Sequence, residues 1–495
     1  MPPLATFCFV LLANVVLAQH VNIEVAFHSR DVEVLKEARL LAATIGRDNR
    51  FAVAEVTEKD CDGAAQVECT EAGAFIRISS LGTSVDGTIG GSSKLQQQIQ
   101  RHFAEFVDKF YMNQAVEKDD VEWWNNRFAA PHAKHLQKLE RFIAESTDQP
   151  TYVLYYRKEG YENFAAYYAC AKLFQSDAVR GLVVDCSDEE SICNHQSIDH
   201  TPALIAYSNG KVYKEYQHEI DAKLIHDWIL TIAQPVITRL TEDAVPYYRD
   251  GGVPGFDSPR PSVVIFFAST RKSDIYKNYK RFARERHGDF HLTELIDRGI
   301  EKWAHQPVFV AMKPLETISK ANTLYEDISY ESMVEFIEEN QHPSVHGLTD
   351  ISALLTALSL DRPMMVFFDP SRTKNITQFA TVAADYALRS KVAVFAASEG
   401  LRMPGLYLAK QLGIDTTTPQ YVYVNRINRC LNTKPITKEN EMEIERWLKS
   451  AGGLDCKPTS EIDMDTLRAL RNWERRDNLR RELQERLSPE QHEEL

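Results

Sequence analysis

The cysteines are the side chains of this sequence best suited to chemistry. Eight are present, at positions 8, 61, 69, 170, 186, 193, 430 and 456. Thiol–disulfide exchange needs one thiolate that attacks a disulfide and a second thiol that resolves the mixed disulfide. Such pairs are typically separated by two residues, and no two cysteines in this sequence have that spacing. The sequence therefore predicts no redox-active Cys-x-x-Cys centre.

The remaining cysteine spacings favour structural disulfides. Short local spacings pair Cys61 with Cys69 and Cys186 with Cys193, and Cys430 with Cys456 is a further candidate pair. Each short loop closed in this way stabilises a fold by roughly 2–3 kcal/mol. A switchable pair remains the functional alternative.

Cys8 lies in the N-terminal apolar run of a predicted signal peptide, so this pairing leaves Cys170 without a partner. It lies among Ala169, Ala171 and Leu173, on the inner side of a predicted helix. This position favours a buried structural thiol, and a reactive single thiol is the alternative.

Other kinds of site lack the residues that they need. The histidines are scattered, none makes a His-x-x-x-His pair backed by acidic ligands, and no glycine-rich phosphate loop follows a strand. We therefore expect no metal site and no cofactor. The net charge of −14 is dispersed, without a basic stripe, which argues against nucleic-acid binding. Asn375-Ile376-Thr377 is a glycosylation acceptor motif.

Both ends of the sequence carry features typical of targeting signals. The apolar run from Phe7 to Leu17, followed by Ala18, predicts a secretory signal peptide. The last four residues, His492-Glu493-Glu494-Leu495, are similar to retrieval signals of the endoplasmic reticulum. No second apolar stretch is long enough to span a membrane. Together these features predict a soluble protein of the endoplasmic-reticulum lumen.

The elements that position these residues recur along the chain. Four apolar strands, each followed by a helical stretch and further strands, recur about every 100–130 residues. Strands that alternate with amphipathic helices predict α/β domains with a mixed sheet. The four opening strands are Asn22–Phe27, Thr151–Tyr156, Ser262–Phe267 and Met364–Phe368.

The second repeat carries the most specific motif. Cys186 and Cys193 are separated by six residues and precede Thr201-Pro202, at the start of a strand. Proline is normally excluded from the interior of a central strand. In these features the repeat resembles a catalytic-type thioredoxin domain of the protein disulfide isomerase family. The resemblance implies a cis-proline at Pro202, with Pro307 and Pro419 as further candidates. It also places the family's Cys-Gly-His-Cys on Arg157-Lys158-Glu159-Gly160, so the redox site has been lost.

The resemblance extends over most of the chain and implies a fold of four tandem thioredoxin-like domains with a C-terminal amphipathic helix. The third and fourth repeats resemble non-catalytic domains of the family, and the first is the most divergent. The predicted boundaries are 1–18 for the signal peptide, 19–125, 126–240, 241–342 and 343–456 for the four domains, and 457–495 for a helical tail.

The functional expectation is protein binding without redox chemistry. In the family, the second non-catalytic domain carries the main client-binding cleft, and here Phe379, Met403 and Leu406 are the candidates for an exposed apolar rim. The expected partners are unfolded or nascent secretory proteins and other lumenal chaperones, with the protein acting as chaperone or adaptor. The alternatives are a thiol oxidoreductase or isomerase that uses lone cysteines, and a calsequestrin-like calcium-binding protein.

The tail from Glu461 to Leu487 has apolar residues at helical spacing among many charges. We expect it to pack on the fourth domain. A dimer seam or occupation of the client cleft are the alternatives.

Overall fold

The computed structural model describes most of the chain, in segments separated by short gaps. The described residues are 19–27, 32–48, 51–60, 74–80, 83–89, 95–116, 130–147, 149–175, 179–256, 263–297, 307–313, 321–341, 345–360, 362–370, 379, 382–383, 394–399, 403–425, 429–436, 446–447, 450, 457–459 and 461–487. Among them, no helix combines the length and the apolar character that a membrane crossing requires. The predicted signal peptide, retrieval signal and Asn375, together with Cys61, Cys69 and Cys456, lie outside the described residues.

The described residues form four mixed sheets, which share one pairing pattern. In each, a central strand pairs in parallel with the next strand on one side and antiparallel with a later hairpin on the other. The α/β fold class with repeated thioredoxin-like sheets is thus confirmed. The chain divides into two compact units.

One unit comprises Met1–Lys118 and Ser344–Asp477 and contains the first and fourth sheets. The first sheet has the order β2-β1-β3-β4 and the fourth has the order β14-β16-β15-β17-β18-β19. The strands are β1 (Gln19–Phe27), β2 (Phe51–Asp60), β3 (Ala74–Ser80), β4 (Thr83–Ile89), β14 (Val345–Gly347), β15 (Met364–Asp369), β16 (Val394–Glu399), β17 (Gln420–Asn425), β18 (Cys430–Pro435) and β19 (Lys457–Pro458). The helices are α1 (Val32–Asp48), α2 (Leu95–Val116), α10 (Ile351–Ser359), α11 (Met403–Gln411) and the first part of α12 (Met464–Leu487).

The other unit comprises Asp119–Pro343 and Asn478–Leu495 and contains the second and third sheets. Their orders are β6-β5-β7-β8 and β13-β12-β10-β11-β9. The strands are β5 (Thr151–Tyr156), β6 (Arg180–Asp185), β7 (Ala203–Ser208), β8 (Lys211–Glu215), β9 (Thr238–Arg239), β10 (Val263–Ala268), β11 (His291–Ile296), β12 (Val308–Met312) and β13 (Ala321–Leu324). The helices are α3 (Leu136–Ala144), α4 (Gly160–Phe174), α5 (Glu190–His195), α6 (Ala222–Ala233), α7 (Val245–Arg249), α8 (Asp274–Glu285) and α9 (Tyr330–Asn340).

Polar side chains fix where several helices begin. Asp221, Ser273, Ser329 and Asp350 each accept hydrogen bonds from backbone N–H groups in the first turn of the helix that follows. These N-caps satisfy donors that have no partner within the helix. They position α6, α8, α9 and α10 against their sheets.

Two short strands join a sheet that lies outside the segment to which the predicted boundaries assign them. Thr238–Arg239 pairs with β11 of the third sheet, although the boundary was predicted after residue 240. Lys457–Pro458 pairs with β18 of the fourth sheet, although it was predicted to begin the tail. Strands this short carry no periodic signal, because their position is decided by the edge that they join.

The tail contains helix α12 (Met464–Leu487), and only the first part of this helix follows the expected packing. Leu467 and Leu470 belong to the core of the unit that holds the fourth sheet. From Asn478 onward the helix belongs to the other unit, where Leu479 and Leu483 pack on α4 of the second domain. The expectation that the whole tail packs on the fourth domain was wrong, because α4 presents an apolar face of its own.

Candidate functional site

The segment predicted to replace the redox motif lies between β5 and α4. Tyr156 ends the strand and Gly160 begins the helix, so Arg157, Lys158 and Glu159 form the connection. Gly160 has φ +72°, a left-handed conformation that glycine adopts without steric cost. Asn163 accepts a hydrogen bond from the Arg157 backbone N–H (3.0 Å) and donates one to the Glu159 carbonyl (3.1 Å). The connection is therefore held from within the first turn of the helix.

A cation and two carboxylates fix the middle of this connection. Lys158 Nζ lies 2.7 Å from Asp185 and 2.9 Å from Asp188. The Asp185 side chain is only 5 % exposed and also accepts a hydrogen bond from the Ser187 N–H. Hydrogen bonding to Asp185 and then Asp188 raises the pKa of Lys158, and the same ammonium lowers the pKa of Asp188. Lys158 is thus held as a cation beside a buried carboxylate.

The cysteines that follow β6 are joined to each other. Cys186 and Cys193 form a disulfide and are both buried. Cys186 directly follows Asp185, the residue whose carboxylate pairs with Lys158. The only free cysteine among the described residues, Cys170, lies in α4 and is fully buried. Burial raises the pKa of its thiol, so this position does not present a thiolate to a substrate.

The geometry of the preceding peptide bond distinguishes Pro202 from Pro419, two of the candidate cis-prolines. The Thr201–Pro202 bond is cis, and Ala203 pairs with Tyr155, which sets Pro202 beside the end of β5. Within the described part of the chain this is the only cis bond. The expected cis bond at Pro419 was therefore wrong, since the trans form is the ordinary state of an X-Pro bond. Hydrogen bonds from Thr417 and Thr418 to Asp415 shape that turn.

Pro307 directly precedes β12, and the residue before it lies outside the described part. Cys430 is disulfide-bonded, while its predicted partner is outside those residues.

An aromatic cluster that the sequence did not suggest borders the connection. The ring centroids of Tyr156 and Tyr167 are 4.9 Å apart, and His132 lies 6.3 Å from each. A backbone bridge between His132 and Val183 holds the histidine at the edge of β6. Burial is the main cause that lowers the pKa of His132, which favours the neutral ring. No sequence signal marks His132, because its position depends on an isolated bridge to a distant strand.

The third sheet carries a similar ion pair at the equivalent connection. Arg271, between β10 and α8, donates two hydrogen bonds to Glu294 of β11, at 2.9 and 2.6 Å. Tyr276 Oη donates to the other carboxylate oxygen at 2.7 Å. The Glu294 side chain is 3 % exposed. A charged residue inside an apolar strand was the available signal for Asp185 and Glu294, but their partners are set by the fold.

The client-binding candidates of the fourth domain are mainly core residues. Phe379 is fully buried, and its ring lies 5.3 Å from Phe367 and 6.0 Å from Tyr421. Leu406 is 2 % exposed and belongs to the cluster on the other face of the sheet. The predicted exposed rim was wrong for both, because helices cover both faces and their inner sides are core. Met403 begins α11, and its side chain is not among those that the structure describes.

Within the described residues, no group of three or more His, Cys, Asp or Glu side chains is arranged to hold a metal ion.

Comparison with known proteins gives a likeness of structure only. No family model and no curated protein matches the sequence. Form II of human ERp44 is 13 % identical, with a TM-score of 0.33, over 72 % of this chain and 96 % of that chain. Full-length ERdj5 is 15 % identical, with a TM-score of 0.26, over 88 % and 60 %. The first two thioredoxin domains of Naumovozyma dairenensis Eps1p are 11 % identical, with a TM-score of 0.29, over 42 % and 96 %.

Proposed function

We propose that this protein is a redox-inactive, disulfide-isomerase-like protein of the endoplasmic-reticulum lumen that binds unfolded or partner proteins as a chaperone or adaptor. One observation carries the proposal. The connection beside cis-Pro202 holds no cysteine and is closed by the Lys158–Asp185 ion pair. A thioredoxin-like sheet is retained around a position that has no thiol to exchange.

The state of the described cysteines supports the same proposal. A nucleophilic thiol needs exposure and a lowered pKa. Cys170 has neither, and Cys186 and Cys193 are buried within their disulfide. These facts argue against the alternative in which lone cysteines perform thiol exchange.

The test measures binding and redox turnover in one preparation of the chain from Gln19 to Leu495. We expect it to suppress light scattering from thermally denatured citrate synthase, equally well before and after treatment with N-ethylmaleimide. We also expect no acceleration of insulin reduction by dithiothreitol, with a dithiol thioredoxin as positive control. Catalytic insulin reduction that N-ethylmaleimide abolishes would contradict the proposal, and so would unchanged citrate synthase aggregation.

The lumenal location is tested through the last four residues. We expect removal of His492–Leu495 to move the protein from the cell into the medium, because retrieval depends on that sequence. A variant that ends in Lys-Asp-Glu-Leu serves as the control and should stay in the cell. Equal secretion of all three forms would exclude a retrieval function for these residues. The same cells report glycosylation at Asn375 through the gel mobility of Asn375→Gln.

A further inference from the structure

Helix α4 has two apolar faces, and only one of them packs on its own sheet. Residues such as Tyr167, Cys170 and Phe174 belong to the core beneath the helix. The outer face is formed by Tyr161, Phe164, Ala165 and Tyr168, at helical positions i, i+3, i+4 and i+7, and belongs to a separate cluster. A helix that is apolar on both sides must be covered on both sides. We call these four outer residues the α4 groove.

The residues that cover the α4 groove come from the end of the tail helix. Leu479 and Leu483, four residues apart, are 3 % and 4 % exposed within this cluster. Between them, Glu482 accepts hydrogen bonds from Tyr168 Oη (2.8 Å) and Lys172 Nζ (3.1 Å). Residues at these spacings share one face of a helix. The α4 groove therefore recognises two leucines four residues apart with a glutamate just before the second.

The contact between the tail helix and the α4 groove has features that would allow another helix to displace the tail. The Lys172 and Glu482 side chains are each 40 % exposed, and ion pairs at such exposure contribute little stability. A cavity of about 240 Å³ lies at the margin, lined by Tyr168, Lys172 and Glu482 among others. Leu479 and Leu483 are the two tail residues that are buried in this apolar cluster.

We propose that the α4 groove binds an amphipathic helix of a partner protein bearing this Leu-x-x-Glu-Leu pattern, and that the tail helix is its intramolecular competitor. The inference rests on the proposed protein-binding function and names the partner's chemistry. Helix-in-groove recognition reads apolar anchors at this spacing. The groove begins at Tyr161, one residue after Gly160, so it adjoins the connection that lost its thiols. A tethered competitor acts at an effective concentration of about millimolar, so a partner must outcompete the tail.

The experiment uses a fluorescent peptide with the sequence of residues 476–487 and the chain from Gln19 to Leu495. Leu479→Asp with Leu483→Asp removes the internal competitor, and Asn478→Asp, at an exposed position of the same helix, is the matched control. We expect the peptide to bind the double variant at least about tenfold more tightly than the wild type or the control, because the tethered tail blocks the groove. Fluorescence anisotropy measures the affinity.

A charge reversal localises the binding. We call the Leu479→Asp, Leu483→Asp double variant the opened variant. Adding Lys172→Glu to it should weaken binding of the peptide, and a peptide that carries Glu482→Lys should restore binding. Protection of Cys170 from alkylation shows that the second domain remains folded. No binding to a folded, opened variant overturns the inference, as does equal binding to wild type and opened variant. Citrate synthase aggregation is scored separately, so loss of the groove and loss of the proposed function are distinguishable.

Discussion

Lys158 and Arg271 occupy equivalent connections in the second and third sheets, each shortly after the central strand. Each pairs with a carboxylate on the neighbouring parallel strand, Asp185 or Glu294, that is almost fully buried. A buried carboxylate requires a charged or hydrogen-bonding partner, because desolvation of the bare charge is costly. At both sheets an ion pair therefore closes the connection between strand and helix.

Cys170 gives a test of thiol reactivity at the residue scale. Burial raises the pKa of its thiol and excludes reagent. We expect iodoacetamide at about pH 8, where an ordinary cysteine is partly ionised, to leave Cys170 unmodified in the native protein. Mass spectrometry of the digested protein measures this, and the guanidinium-denatured protein is the control. Rapid native labelling would show that α4 opens readily.

His287 predicts how stability depends on pH. It is 3 % exposed, its Nδ1 lies 2.7 Å from Tyr213 Oη, and Lys214 and Asp289 lie nearby. Burial, reinforced by the Lys214 ammonium, lowers the pKa of His287 to about 4. The unfolded state takes up the proton first as the pH falls, so this stabilisation is complete above about pH 6.5 and is lost towards pH 4.

We expect the contribution of His287 to the free energy of unfolding to fall by about 2–3 kcal/mol between about pH 6.5 and 4.5. Thermal unfolding of His287→Gln should therefore depend less steeply on pH than that of the wild type. Substitution of the exposed His195 by Gln provides the matched control. Parallel pH profiles for His287→Gln and the wild type would contradict the assignment.

At the scale of elements, sheet pairing brings the parts of the candidate site together. Parallel pairing of β5 with β6 aligns Tyr156 with Asp185, and antiparallel pairing with β7 brings cis-Pro202 alongside. Asn163 then ties the connection to the first turn of α4. The site is consequently formed by three strand ends and one helix start.

Arg271 tests whether such an ion pair stabilises its domain. Arg271→Met leaves the buried Glu294 with Tyr276 and the more distant Arg239, so we expect the free energy of unfolding to fall by about 3 kcal/mol. Lys277→Met breaks an exposed ion pair with Asp274 and should change stability by no more than about 0.5 kcal/mol. Urea denaturation compares the two. Equal effects would mean that burial of Glu294 does not require Arg271.

At the scale of the whole molecule, both compact units are discontinuous in sequence. The unit with the first and fourth sheets shows the consequence. Its hydrophobic cluster includes core residues of the first sheet, such as Ile23 and Ile76, and of the fourth, such as Val366 and Val422. Helix α2 contacts α11, and the Phe110 ring lies 6.4 Å from Trp473. The first sheet and its helices therefore complete a core with residues that follow more than 200 positions later.

Cleavage of the chain tests this shared core. With a protease site inserted between residues 119 and 125, we expect the N-terminal fragment to remain bound after cleavage and to co-elute in native size-exclusion chromatography. Phe110→Asp should release it, because the charge enters a fully buried site. Leu40→Asp, at a position that is 54 % exposed, should not. Separation of the wild-type fragments after cleavage would refute a shared core.

The sequence alone predicted the repeated α/β architecture, because strand and helix periodicities are local and survive in each repeat. It also established that no Cys-x-x-Cys is present. The central strands fall within a few residues of their expected positions, as Thr151–Tyr156 illustrates. The predicted exposure of two apolar residues was wrong. Phe379 and Leu406 were expected at an exposed rim, but both are buried in a core.

Only the tertiary structure decided which distant residues meet. The pairing of Lys158 with Asp185, the bridge that positions His132, and the packing of Leu479 on α4 join segments between about 27 and 320 residues apart. Local periodicity shows that a face is apolar but not what covers it. The residues that cover an apolar face, and those that pair with a buried charge, depend on the order of strands in the sheets and on where the tail helix packs. These features follow from the free energy of the whole packed chain.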